Sequence, residues 1–259
     1  MRRITSATVV LIAILTMGAG IARAVTYSDR DGTAHPYVGL VALYKGDSYT
    51  GFRCSGALIS PTVVITAAHC VADAQADRAR VHFEPEVERA ALPNPASGVA
   101  GTLHANEAFT DLGALPNTSD LAVVVLDAAV SIPHASLAAV GALDGKEGEQ
   151  LTVVGYGLQG VKPRIIDETT RFRADPVVSE LYGKLTGAWN VRTTNDKKNG
   201  GTCFGDSGAP LLLPDTGPTG RDQIVAVNSF GKNGTCKGSD YSYRVDTAYA
   251  QSWLSHFLD

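Results

Sequence analysis

The chain has 259 residues, 22 basic against 26 acidic side chains, a formal net charge of −4 and 44% hydrophobic residues. That length can bury a large core, and suits one large β domain or two small ones. The mildly acidic balance argues against a nucleic-acid partner, which needs clustered positive charge, and reads as an ordinary solubility feature.

Arg2 and Arg3 open the sequence, an apolar run covers 9–15, and small residues continue it to Ala24. Ala22-Arg23-Ala24 fits a small-x-small cleavage site, so 1–24 reads as a secretory signal peptide. The run is too short for a membrane span, and no later stretch is long and apolar enough to cross a bilayer. The expectation is a secreted protein with no membrane association once the signal is removed. Cleavage after Ala24 would remove three arginines and no acids, leaving 235 residues with a net charge of −7.

The rest reads as many short strands. Residues 37–44, 57–59, 63–66, 121–126, 151–154, 209–213 and 224–229 are apolar, often β-branched, and bounded by Gly, Pro, Asp or Ser, the pattern of an all-β barrel or sandwich. A helical turn is expected over 71–77. Residues 84–101, rich in Pro, Ala and acids, read as surface loop, with Glu84, Glu86 and Glu88 as a solvated cluster. Residues 133–148 look like a crossing between two halves, about 25–140 and 141–259. Residues 158–200 show mixed charge and few clear strands. After Asp246, Trp253, Leu254, Phe257 and Leu258 fall on one helical face. No internal repeat is visible.

Three segments carry chemistry. Thr66-Ala67-Ala68-His69-Cys70 sets a histidine after a strand. Ser119-Asp120 opens the apolar run at 121–126, where a carboxylate needs a partner. Gly205-Asp206-Ser207-Gly208-Ala209-Pro210 centres a serine in a polar turn. A hydroxyl is a poor nucleophile until a base takes its proton, and an imidazole is an effective base only when held in the right tautomer. Each motif alone is weak, but the order His, Asp, Ser is a strong signal. The other histidines, His35, His82, His104, His134 and His256, lack such surroundings and read as structural or surface. Asn117 and Asn233 head glycosylation acceptors, and Gly46-Asp47-Ser48 repeats the serine tripeptide without its flanks. Four cysteines in an exported chain point to two disulfides, for which three pairings are open; none has the Cys-x-x-Cys spacing of a zinc site.

These motifs, from His35-Pro36-Tyr37 to the C-terminus, resemble the trypsin-like serine proteases of the chymotrypsin family. The resemblance implies two six-stranded antiparallel β-barrels packed face to face with a C-terminal helix, and an active site between them. It implies His69, Asp120 and Ser207 as a catalytic triad and the backbone N–H groups of Gly205 and Ser207 as an oxyanion hole. It selects the disulfides Cys54–Cys70 and Cys203–Cys236. Asp206 would pair with the freed N-terminal ammonium. Here the aliphatic-aliphatic-Gly-Gly start is missing, but Val25 lies about the right distance before Pro36. The substrate pocket would be lined by Gly201, Thr202, Ser229, Phe230, Gly231 and Asp240, with Gly201 where trypsin has an aspartate. A few family members combine a glycine floor with an aspartate at the place of Asp240, and accept basic and uncharged side chains; an exposed loop is the other expectation for Asp240.

The implied function is a secreted serine endopeptidase that forms an acyl-enzyme. It would act as a monomer on protein or peptide substrates, with protein inhibitors as further partners and no cofactor or metal. Two other readings are a catalytically silent binding protein of the same fold and an α/β-hydrolase. Ala209 breaks the Gly-x-Ser-x-Gly elbow of the latter.

Overall fold

The computed structural model describes residues 27–214 and 222–258. The proposed signal peptide and Val25 therefore lie outside the described residues.

Six strands close into a barrel: β2 (Val38–Lys45), β3 (Ser48–Ser60), β4 (Val63–Thr66), β5 (Arg78–His82), β6 (Val99–Ala105) and β7 (Ala122–Leu126), in the order β2-β3-β4-β7-β6-β5. Alternate side chains of these strands go to two different cores. Val41, Leu43, Leu58, Val64, Ala79, Val81, Leu103 and Val124 come from all six strands and fill the barrel. Val38, Leu40, Ile65 and Val123 point outward, yet are buried as well. They meet Val154, Tyr156, Leu212 and Val227 of the second sheet in a shared core. Both faces of β4 are therefore apolar, which explains the continuous run Val-Val-Ile.

The second sheet uses β1 (Asp29–Arg30), β8 (Ser136–Leu137), β9 (Thr152–Gly155), β10 (Phe172–Ala174), β11 (Val178–Glu180), β12 (Asn190–Asn195), β13 (Pro210–Leu213), β14 (Gln223–Gly231) and β15 (Gly238–Arg244). Its path runs β1-β10-β9-β13-β14-β15-β12-β11, a half-barrel, with β8 parallel to β14. Asp175-Pro176-Val177 interrupts the strand between β10 and β11. Even so, a bridge between Gln150 and Val177 and the bond from Leu151 N to Pro176 O (2.9 Å) link the segment entering β9 to the segment entering β11, the last strand of the path. Leu151, Val153, Phe172, Val178, Val191, Leu211 and Val225 fill the interior. Thr247 caps the C-terminal helix α2 (Ala248–Leu254), which sets Ala250 and Leu254 into the shared core.

The all-β class and the C-terminal helix agree with the sequence reading; several elements do not. The turn expected at 71–77 is helix α1 (Ala68–Ala74), which starts three residues earlier and takes in His69. Residues 84–101 include buried Val87 and Leu92 and the start of β6. Residues 158–200 hold β10, β11 and β12. Their short or polar sequences hide them, because Asn190, Thr193 and Asn195 of β12 are buried polar residues. The segment before Pro36 crosses to the second sheet, where Asp29 pairs with Arg173. Arg171, 1% exposed, fixes this crossing by bonding Asp31 Oδ2 (2.9 Å) and the carbonyls of Gly32 and Val38. A buried ion pair is tolerable only when such bonds satisfy both partners.

Candidate active site

His69, Asp120 and Ser207 come from three places in the fold. His69 lies in the first turn of α1, where Thr66-Ala67-Ala68 leaves β4. Asp120 ends the loop that enters β7, and Ser207 lies in the turn before β13. Their side chains meet where the first barrel faces the second sheet. His69 Nε2 is 2.7 Å from Ser207 Oγ, and His69 Nδ1 is 2.8 Å from Asp120 Oδ2. The other oxygen, Asp120 Oδ1, accepts the backbone N–H of His69 at 2.8 Å. Ser229 Oγ also donates to Asp120 Oδ2. Asp120 is fully buried, so these donors replace the water it has lost.

Burial presses the His69 pKa down. The adjacent Asp120 carboxylate, by charge and hydrogen bond, more than offsets this, and the net shift is upward from 6.5. Because the proton is held more tightly in the folded chain, the protonated pair adds stability below the unfolded pKa. That contribution is lost as pH rises through the folded value.

Two glycines shape the serine turn. Gly208 has φ +79°, and a Cβ there would fall 2.1 Å from Thr66 Oγ1 and 2.4 Å from the carbonyl of Ser55. The first barrel thus passes directly over the serine turn, and Ser55 N donates to Ser207 O at 2.8 Å. Gly208→Ala is expected to cost roughly 3–5 kcal/mol, from overpacking and left-handed strain together. Thermal unfolding should show Tm falling by about 10 °C; an unchanged Tm would contradict this close approach. Gly205 has φ +95°. Its carbonyl accepts from Ser55 Oγ at 2.9 Å, and the same Oγ accepts from Tyr156 N at 2.9 Å. Sequence reasoning missed Ser55, a residue next to Cys54 that stitches both sides of the cleft to the serine turn. It also missed the bond from Ser229 to Asp120; nothing in the local pattern of either serine signals such distant partners.

A family model described as Trypsin matches residues 25–254. The chain belongs to the trypsin family. Brachyurin of Leptuca pugilator is 28% identical over 221 residues, covering 82% of this chain and 89% of that protein. The HL collagenase structure superimposes with a TM-score of 0.69 at 19% identity, covering 90% of this chain and 98% of that one. A scabies mite inactivated protease paralogue gives 0.66 at 14%, covering 90% and 97%. At those identities the two structures speak for the fold alone.

In this trypsin-family chain Cys54–Cys70 and Cys203–Cys236 are bonded, with Cα–Cα distances of 6.4 and 5.1 Å. The first ties α1 to β3 and closes a loop worth about 3 kcal/mol in the chain-entropy account. The second joins the serine turn to the segment before β15. Thr202, Cys203, Gly205 and Ser207 line one cleft with Ser229, Phe230, Gly231 and Asp240. Gly201 is buried beside it. Asp240 does not sit on an exposed loop. It is on β15, 3% exposed, and burial pushes its pKa up to about 6 while bonds from Asn195 and Thr202 oppose the rise.

Asp206, 0% exposed, is bonded to backbone N–H groups and not to His69. Its oxygens accept from Gly157 N (2.8 Å) and Cys203 N (2.9 Å). Burial pushes its pKa up to about 7 against those two bonds. Glu84, Glu86 and Glu88 are exposed, and Glu86 pairs with Arg30. Asn117 is partly buried and accepts from Ser119 N (3.2 Å) and Tyr243 OH (3.3 Å), whereas Asn233 is exposed.

Proposed function

We propose that this protein is a secreted serine endopeptidase. The observation that carries the reading is one continuous chain of hydrogen bonds from Asp120 through the His69 ring to Ser207 Oγ, 2.8 and 2.7 Å long. Ser207 Oγ attacks the carbonyl carbon of a peptide bond and passes its proton to His69 Nε2. Asp120 stabilises the imidazolium and fixes its tautomer. The carbonyl oxygen becomes an oxyanion, received by the N–H groups of Gly205 and Ser207. Support for Gly205 comes from its peptide link: Phe204 O is tied to Leu158 N at 2.7 Å. In a trans peptide the Gly205 N–H must then point the opposite way from Leu158. Collapse of the oxyanion expels the amine, which takes the proton from His69. Water then repeats the sequence on the acyl-enzyme.

The pocket beside Ser207 would take the side chain before the cleaved bond. Gly231 leaves it room, and Asp240 gives it a carboxylate, so basic and uncharged side chains are both expected. Signal-peptide removal would free Val25, whose ammonium is the proposed partner of Asp206; N-terminal sequencing of the active protein showing a start far from Val25 would reject that. No helix among the described residues is long and apolar enough to cross a membrane. Export, action as a monomer and control by protein inhibitors belong to the same proposal.

An aryl phosphonate probe tests the reading, since it needs both an activated serine and an oxyanion site. Stoichiometric labelling of Ser207 is expected. No labelling of folded protein would leave the silent binding protein as the better account. The pH profile is a second check. Only neutral His69 can accept the proton, so kcat/KM should rise with pH through a midpoint above 6.5, the direction of the His69 shift. A midpoint below 6 would contradict the Asp120–His69 coupling.

A further inference from the structure

The next step rests on the peptidase reading and concerns how the pocket chooses side chains. Asp240 of β15 pairs with Gly231 of β14. A Cβ on Gly231 would stand 3.6 Å from Asp240 Oδ1, so this oxygen faces the space that glycine leaves open. The other oxygen, Oδ2, accepts Thr202 N at 2.7 Å. Asn195, at the end of neighbouring β12 and 1% exposed, places Nδ2 at 3.0 and 2.9 Å from the two carboxylate oxygens and 2.8 Å from Thr202 O. The same amide occupies the space at Gly201, where a Cβ would fall 2.2 Å from Asn195 Cγ. Glycine at 201 is therefore not an empty floor; the Asn195 carboxamide fills it.

We propose that Asn195 is a specificity-determining positioning residue, whose amide holds the Asp240 carboxylate with one oxygen turned to the cleft, so that the pocket takes a basic side chain as well as an uncharged one. A carboxamide suits the task for a physical reason. It donates hydrogen bonds that favour the ionised carboxylate, yet adds no charge to compete with an arriving cation. A lysine or arginine at 195 would neutralise Asp240. An apolar residue would leave Asp240 held by Thr202 N in a buried site, and the protonated form would gain. The charged groups around Asp240 are few. Asp206 is near enough for the Asp240 charge to raise the Asp206 pKa, and Lys232 and Lys237 stand on the wall of the cleft, Lys232 over the Tyr241 ring at 5.4 Å.

The experiment compares two peptides that differ only in Arg or Leu before the cleaved bond. kcat/KM is measured for the natural chain, Asn195→Leu, Asn195→Ser and Asp240→Ala from pH 5 to 9, with phosphonate labelling of Ser207 to count assembled sites. The Arg/Leu ratio cancels the His69 titration, which both substrates share. In the natural chain the ratio should climb with pH around a midpoint near 6, where burial places Asp240. Asn195→Leu should lower the ratio at pH 7 by about tenfold and move its midpoint upward, the loss expected for one hydrogen bond to a charged group. Asp240→Ala should give a low ratio that is flat with pH. Full labelling of Asn195→Leu together with an unchanged ratio and midpoint would overturn the proposal. If the leucine variant does not label, Asn195→Ser carries the test, and a natural ratio there overturns it equally. Failure of the natural chain itself to label or cleave would instead defeat the peptidase reading.

Discussion

Replacing Ser207 by alanine should lower kcat on a peptide substrate by about 10⁶, the scale on which a catalytic unit fails when its nucleophile is lost. Ser207 Oγ is the atom that His69 Nε2 reaches at 2.7 Å, and no other hydroxyl is bonded to that nitrogen among the described residues. Folding should be nearly untouched. Ser207 contributes its backbone carbonyl to the contact with Ser55 N, and alanine keeps that carbonyl. The variant should therefore unfold at the same temperature as the natural chain while losing phosphonate labelling and turnover together. Retained turnover, with labelling at another residue, would mean that the cleft uses a different nucleophile.

Asp120→Asn should cut kcat by about 10⁴ with little change in KM. Asp120 accepts from three donors: the backbone N–H and Nδ1–H of His69 and the hydroxyl of Ser229. A carboxylate can accept all three, but a carboxamide must turn an NH₂ toward one of them. If the NH₂ faces Nδ1, the ring has to carry its proton on Nε2, and it can then no longer take one from Ser207. If it faces the backbone N–H, the neutral amide oxygen stabilises the imidazolium far less than a carboxylate does. In either case the acid limb of the pH profile should also move to lower pH, because the largest upward influence on His69 is the Asp120 charge. Stopped turnover with an unmoved limb would separate the two roles and assign the pH dependence to another group.

The fold was legible in the sequence where burial is two-sided. The run from Val63 to Ile65 and the run Ala122–Leu126 are apolar throughout because one face fills the barrel and the other the shared core. Strands with buried polar residues were not legible. β12 reads Asn-Val-Arg-Thr-Thr-Asn and β15 reads Gly-Ser-Asp-Tyr-Ser-Tyr-Arg. Asn190, Asn195 and Asp240 among them are buried with partners distant in sequence, Asn190 bonding Pro116 O and Asn195 bonding Asp240. The expectation of a surface loop at 84–101 holds for most of 84–98, but not at Val87 and Leu92 or at 99–101 of β6, for a similar reason. Val87 and Leu92 pack into a core built by strands the local composition does not mention.

The order and flanks of His69, Asp120 and Ser207 were legible from residue identity, whereas the pairing of the cysteines was implied by the family resemblance alone. The three-residue reading rests on chemistry that only a few side chains can supply. The surroundings of each carboxylate were decided by the tertiary structure. Asp120, Asp206 and Asp240 are the same residue type, yet one accepts three donors beside an imidazole and another meets two backbone N–H groups. The third is gripped by Asn195 and Thr202. For Asp206 and Asp240 burial raises the pKa against the donors that converge on them, and that convergence is created when distant strands pack.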